Sequence, residues 1–489
     1  MKEGCIIMEN FKDKLYSHLT IVEHQLDFYS VTGQTLIDWF NPLLYSFTDD
    51  GAISYLLEKK DRYRASPLSS TIEWLTNANL LTVDCLDILQ NKLIYLRDNN
   101  QQNDTNTGNK VKQQGDELGW SLSEGVSVWS TSTALLALFD KYNNWENHTD
   151  IIKETTIWLV KQKKTNSAWA YQLDNNCEPN IIMTALTIRA ICKLAMNKSS
   201  FLLSEEDIVM ISEALNQGFI YISKTAKKQK KYIYWSFGEK ENCAATIWAM
   251  LAIKDLLKVK EFNLNLEEIN KFYNTHIDGS IRFVLNKIPK KPERWKDEQL
   301  VLEGGAKYNK QKNYQSLSAT LIPHLFELGV SPYHPKIVNQ IRWIINNPND
   351  WKIIAYDRGK ICSFSYAMVL STIAIWISRV GSINAQALVD NAKSRINRLQ
   401  RFVFGYYSPK NSPYRLVLKT KISLFVFIIV LLLFIILFGP VLWNNIYCFV
   451  KWIFSLFFQN VNEIVVGMVT NAIWLGGGAI LTWIIKKRK

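Results

Sequence analysis

Residues Trp158 to Leu194 constrain this chain more than any other stretch. They read W-L-V-K-Q-K-K-T-N-S-A-W-A-Y-Q, a polar connection ending at Pro179, then N-I-I-M-T-A-L-T-I-R-A-I-C-K-L. The first part is an apolar helix end followed by a polar loop that closes on an aromatic anchor, Trp169. The second is a helix that is apolar nearly all round, and such a helix has to lie inside other structure. Variants of the unit recur on both sides. L-I-Y-L-R leads to Gly119-Trp120 and V-W-S-T-S-T-A-L-L-A-L-F, and F-I-Y-I-S-K-T-A-K-K-Q-K-K-Y-I-Y-W leads through Trp235 to N-C-A-A-T-I-W-A-M-L-A-I. A fourth unit passes Trp295 and a longer insertion before Y-Q-S-L-S-A-T-L-I-P-H-L-F, and a fifth passes Trp351 before F-S-Y-A-M-V-L-S-T-I-A-I-W. Successive anchors lie 49, 66, 60 and 56 residues apart, a two-helix period with variable loops. The expected fold is all-α: helical hairpins in a ring or stack, with an inner and an outer layer.

W-L-x-x-Q, a polar turn, and a Trp leading to an inner helix that begins near T-A-L resembles the QW-type repeat of squalene and terpene cyclases and of protein prenyltransferase β subunits. The resemblance covers roughly Leu93 to Val380 and implies an α/α toroid; an ordinary α-solenoid with stacked tryptophans fits the same pattern. Around this core we expect an N-terminal helical region at 1–98, with helix breaks at Pro42 and Pro67, and a loop at 99–117 rich in Gln, Asn, Asp and Gly. The repeats occupy 118–380, a helical and basic linker 381–421, and a membrane segment 422–489.

Ile422 to Leu442 and Ile464 to Ile485 carry no charge and are each long enough to span about 30 Å of hydrocarbon. Between them an aromatic stretch around Lys451 suits an interfacial helix. Lys410, Arg415, Lys419 and Lys421 precede the first span and Lys486, Lys487, Arg488 and Lys489 follow the second, so the positive-inside rule puts both termini in the cytoplasm. The N-terminal stretch has no apolar run of signal-peptide type, which agrees with a cytosolic main domain. Asn471 and the run Gly476, Gly477, Gly478 in the second span permit close helix contact, either within one hairpin or between copies of a homo-oligomer.

The resemblance also says where chemistry would be. Class II terpene cyclases carry D-x-D-D before the inner-helix T-A, and here that position is Asn180-Ile181-Ile182-Met183. Prenyltransferases hold zinc through D-x-C and a distant His, and no D-x-C occurs. No catalytic residue, metal or cofactor is therefore expected. Asp174, Glu178 and Asp357, in loops ahead of inner helices, are the acids placed to face a cavity and so the candidates for a catalytic role; helix-end stabilisation explains them equally well. The seven cysteines are scattered and form no C-x-x-C, as in a reducing compartment.

What remains is electrostatic. The net charge is +13, which favours an anionic partner. Parallel inner helices would gather their N-termini on one rim, together with Lys163, Lys164, Lys227, Lys228, Lys230, Lys231, Lys290, Lys291, Arg294 and Lys296. Such a rim suits a lipid diphosphate, a nucleotide, a protein partner or an anionic bilayer more than nucleic acid; a solvated solubility face accounts for the same lysines. Trp129, Trp248, Tyr366 and Trp376 are the aromatics expected either to line a pocket or to fill the core. The functional expectation is a membrane-anchored, ligand- or partner-sensing domain, extending to a membrane effector, with cellular defence as one setting. A membrane-bound isoprenoid enzyme and a passive scaffold are the alternatives.

Overall fold

The computed structural model describes residues 11–57, 59–99, 118–120, 126–164, 168–171, 173, 177–295, 318–351 and 361–390. The chain divides into units 1–409 and 410–489, and every described residue belongs to the first. The loop expected at 99–117, apart from Asn99, and both expected membrane spans lie outside the described residues. The structure is mostly helical, as the periodicity requires.

The chain opens with α1 (Phe11–Leu26), α2 (Phe28–Thr32) and α3 (Leu36–Ser46), then a short antiparallel pair, β1 (Ser54–Leu56) and β2 (Lys59–Tyr63), and α4 (Ala65–Asn77). Five further hairpins follow. α5 (Val83–Asn99) leads to α6 (Val128–Leu138), and α7 (Thr149–Lys161) to α8 (Ile181–Met196). α9 (Glu205–Thr225) passes through β3 (Lys227–Gln229), β4 (Tyr232–Phe237) and β5 (Lys240–Asn242) to α10 (Cys243–Leu256). α11 (Leu266–Lys287), which packs on α10, is followed in the chain by α12 (Ile322–Glu327), which a 3-10 turn precedes, and α13 (Pro335–Asn346) pairs with α14 (Ser363–Val380); α15 (Ser382–Asp390) closes the described chain.

Burial separates two layers. Fourteen of the sixteen α8 residues are buried, whereas α13 buries one face, including Ile337, Ile341 and Ile344, at helical spacing. The fully buried helices form a cycle of neighbours: α4 packs on α6, α6 on α8, α8 on α10, α10 on α12, α12 on α14, and α14 again on α4. α14 is also long and apolar enough to cross a membrane, and 78% of it is buried inside the structure, between α4 and α12. Small hydroxyl residues let inner helices approach while satisfying one another: Ser69 donates to Thr133 at 3.1 Å, and Ser132 pairs with Thr187 at 3.1 Å.

The recurrent tryptophans act as staples. The backbone N–H groups of Trp120, Trp169 and Trp235 donate to the hydroxyls of Thr131, Thr184 and Thr246, in the first turn of the following inner helix, at 3.0, 3.2 and 3.1 Å. Their indole N–H groups donate backwards to carbonyls of the preceding outer helix, at Leu93, Leu159 and Ile222. Trp351 does the same to Ile344 at 3.1 Å. Three of the inner helices, α6, α8 and α10, then start on a side-chain cap: Ser127, Asn180 and Asn242 accept from Ser130, Met183 and Ala245. Gly119 leaves room for this geometry, since a Cβ there would stand 2.5 Å from the Thr131 hydroxyl.

Two expectations change. Pro42 does not break α3, which runs through it; only one backbone bond is lost, and Phe40 and Leu43 hold the helix by burial. The lysine-rich stretch after α9 is not an irregular loop but the three-stranded antiparallel sheet β3-β4-β5, with Lys227 opposite Tyr234 and Trp235 opposite Asn242. The first hairpin, α3 with α4, joins the last one: Ser363 Oγ donates to the Ser54 carbonyl at 2.6 Å, Tyr366 Oη to that of Trp39 at 2.6 Å, and Trp39 packs on Trp351 at 5.0 Å.

Candidate functional site

A cavity of about 890 Å³ lies at the N-terminal ends of the inner helices. Trp129 of α6, Ile181 and Met183 of α8, Ala244 and Trp248 of α10, and Phe364 and Met368 of α14 all line it. α4 adds Ser70 and Trp74, and the loop before α8 adds Tyr171, whose ring lies 6.1 Å from that of Trp129. This is the volume and the aromatic composition of a small-molecule site. The converging helix starts bias it towards negative charge.

At the mouth the cavity meets Glu178, the end of α9 with Lys224, Lys227 at the start of β3, and the β4-β5 turn with Glu239 and Lys240. Of the expected rim, Lys227 alone among the described residues lines the cavity. Lys228, Lys230 and Lys231 are exposed around the β3-β4 turn, with the Lys231 ammonium 5.5 Å from the Tyr232 ring. Lys163 donates to Gln217, and Lys164 donates to the Leu173 carbonyl at 3.0 Å. Lys290 and Lys291 are exposed after α11, Arg294 is half-buried beside the anchor Trp295, and Lys296 lies outside the described residues. Glu178 is the one expected acid placed at the cavity, where burial first and this carboxylate second push the Tyr221 phenol up. Asp174 and Asp357 lie outside the described residues.

Two expected pocket aromatics belong to the core instead. Trp376 is fully buried and donates to the Pro332 carbonyl at 2.9 Å, and Tyr366 is held by Trp39 and packs on Trp351 at 5.3 Å. The reason is helical period: Phe364 and Met368 of α14 share a face toward the cavity, and Tyr366, two residues on, points elsewhere.

The floor carries the groups with the strongest chemistry. His324, on α12, has a side chain 6% exposed, and its Nδ1 lies 3.0 Å from Glu327 Oε1. The ring sits between Trp74, 5.3 Å away, and Trp248, 4.9 Å away. Arg189, the one charged residue buried in α8, donates to Asp255 of α10 at 2.9 Å and reaches Glu327 at 3.5 Å. Its guanidinium also lies 5.2 Å from the Trp248 ring.

The Glu327 side chain is still 41% exposed, and the desolvation that disfavours its carboxylate is outweighed by its bond with His324 and then by the charge of Arg189, which hold its pKa at about 2. Asp255 is likewise lowered, because Arg189 and Lys258 overcome the cost of desolvation. Glu73 of α4 goes the other way: desolvation raises it, and Arg189 and His324 only partly compensate. The floor is therefore a paired, ionised network with one carboxyl biased towards neutrality.

No protein-family model matches the chain, and no curated protein sequence matches it either.

Proposed function

We propose that this chain is an α/α toroid of the terpene-cyclase and prenyltransferase type, devoted to sensing a lipid-like ligand and held at a membrane by a C-terminal hairpin. The closed cycle of inner helices and the Trp staples support the architecture. One observation carries the function: a cavity of about 890 Å³ with aromatic walls opens among Lys224, Lys227 and Lys240. An apolar chain fits the walls, and a phosphate or diphosphate head fits the lysines and helix starts at the mouth. The uncharged stretches 422–442 and 464–485 would tether the chain to the bilayer that supplies such a ligand.

The test uses the full chain in neutral-lipid nanodiscs, titrated with farnesyl diphosphate while the fluorescence of Trp74, Trp129 and Trp248 is followed. Saturable quenching is expected in the wild type and its weakening in Ala244→Trp, which places a bulky ring in the cavity wall. Absence of saturable binding in the wild type overturns the reading. A second reading, an isoprenoid-processing enzyme, is favoured by the His324–Glu327 pair beside Glu73. Mass spectrometry separates the two: a sensor returns its ligand unchanged, and an enzyme does not.

A further inference from the structure

The β3-β4 hairpin holds a concentration of charge that the cavity leaves unused. Residues 224–238 contain five lysines and no acid. Lys227 lines the cavity mouth, whereas Lys228, Lys230 and Lys231 follow it and stand exposed. β3 pairs with β4 as far as Gln229 opposite Tyr232, so Lys230 and Lys231 are the two residues of the turn. Lys230 has φ 55°, in the left-handed region that Cβ sterics disfavour for lysine. Two-residue hairpin turns ordinarily take Asn-Gly there. This chain accepts a disfavoured backbone and keeps two charges at the tip. Lysines that serve solubility are interspersed with acids and need no such place. The acids of this sheet, Glu239 and Glu241, stand at its β4-β5 side, and Glu241 is paired with Lys287. At the foot of the turn Tyr232 is half-buried, with the Lys231 ammonium 5.5 Å from its ring, a pairing suited to a polar-apolar boundary.

We infer that the tip of this hairpin docks on anionic phospholipid headgroups, as a membrane contact additional to the C-terminal tether. Each lysine brought close to an anionic leaflet multiplies the docked population about fivefold. The attraction fades within a Debye length, about 8 Å at physiological salt, and an exposed turn can approach that closely. A bilayer is favoured over nucleic acid because the uncharged stretches 422–442 and 464–485 bring it along with the chain, at an effective concentration that a free polyanion does not match. The inference therefore rests on the membrane part of the proposed function and not on what fills the cavity. Lys227, on the same strand, lines the mouth, so a leaflet held at the tip lies beside that opening. Exchange of a ligand with the bilayer then depends on the charge of the leaflet.

The experiment places the full chain in nanodiscs of phosphatidylcholine alone or with about 30% phosphatidylglycerol, neither of which carries a primary amine. A short acetylation pulse read by peptide mass spectrometry then reports the accessibility of each lysine. In the anionic discs Lys228, Lys230 and Lys231 should be acetylated at least about fivefold more slowly than in the neutral ones, and about 0.5 M salt should restore the rate. Lys260, beyond the C-terminal end of α10, and Lys271, in the first half of α11, are exposed and lie away from the hairpin; their rates should not change. Replacing Lys230 by Asn and Lys231 by Gly installs the turn that the backbone prefers, so folding is kept while two charges go. Protection of Lys228 should then vanish. Equal rates in the two discs overturn the inference, as does protection that extends equally to Lys260 and Lys271. Protection of Lys228 that survives the double change overturns the role of the turn lysines. Protection by duplex RNA in neutral discs, without protection by the anionic leaflet, assigns the hairpin to nucleic acid and also overturns it. A full chain that does not remain with the discs removes the tether and the inference together.

Discussion

The floor and the mouth of the same cavity handle charge in opposite ways. At the floor Arg189 and Asp255 have side chains 8% and 7% exposed and are 2.9 Å apart, so each needs the other to be tolerated there. Beyond the mouth, around the β3-β4 turn, Lys228, Lys230 and Lys231 stand in solvent, where a charge needs no partner. The floor is built to hold one arrangement and the mouth to attract. Buried charges report on folding, and exposed ones on encounter.

The largest effect should come from unpairing the floor. Arg189→Met leaves Asp255 with Lys258 alone and loosens Glu327, and should destabilise the domain by about 3 kcal/mol, measured by urea unfolding followed by circular dichroism. A loss below about 1 kcal/mol would break the contrast, since exposed pairs are worth that little. Next comes the staple. Thr246→Val keeps the shape but removes the acceptor of the Trp235 N–H, and should cost about 1–3 kcal/mol in the same assay.

Acid sharpens the comparison without any substitution. Glu327 and Asp255 have folded-state values below their ordinary 4.5 and 3.8, so they bind fewer protons folded than unfolded. Their stabilisation is complete above the ordinary values and is lost as the pH falls through the folded ones, about 2 for Glu327. Unfolding midpoints should therefore fall between pH 5 and 2, and less steeply in Arg189→Met. Glu73 has the opposite sign: its raised value costs stability as the pH rises past 4.5, so Glu73→Gln should be neutral to stabilising at pH 7. The smallest effect on stability belongs to the mouth. Replacing Lys227, Lys228, Lys230 and Lys231 together by Gln should leave unfolding unchanged within about 0.5 kcal/mol. Binding to anionic vesicles should nevertheless weaken several-fold, with a flatter dependence on salt. Unfolding that shifts with this quadruple change would erase the distinction between floor and mouth.

The helical hairpins are legible because burial writes itself as apolar periodicity, and a Trp ahead of an apolar helix recurs along the chain. The N-terminal region shows no such signal, since β1 and β2 stand where the later units carry a buried Trp. Arg189 and Asp255 were in principle readable, each being a charge inside an otherwise apolar helix that demands a partner. His324 stands alone within I-P-H-L-F, and nothing local relates it to Trp74, 250 residues earlier, or to the cavity. The rim was half legible: sequence marks where lysines cluster, but strand register and side-chain direction decide that Lys227 and not Lys228 reaches the mouth.

The bond between Ser363 and Ser54 spans 309 residues. At ordinary synthesis speeds that separation is roughly 15 to 60 s of translation. Throughout that interval the flank of α4 that α14 will cover has no partner, while the hairpins in between can assemble neighbour by neighbour as they emerge. The nascent chain is thus an open arc with a sticky leading edge, and its last described inner helix is the latch. A ribosome that stalls before Ser363 releases a product that cannot shut, and such a product is a natural client for chaperones. Completing the wall of the cavity is therefore one of the last events in making this domain.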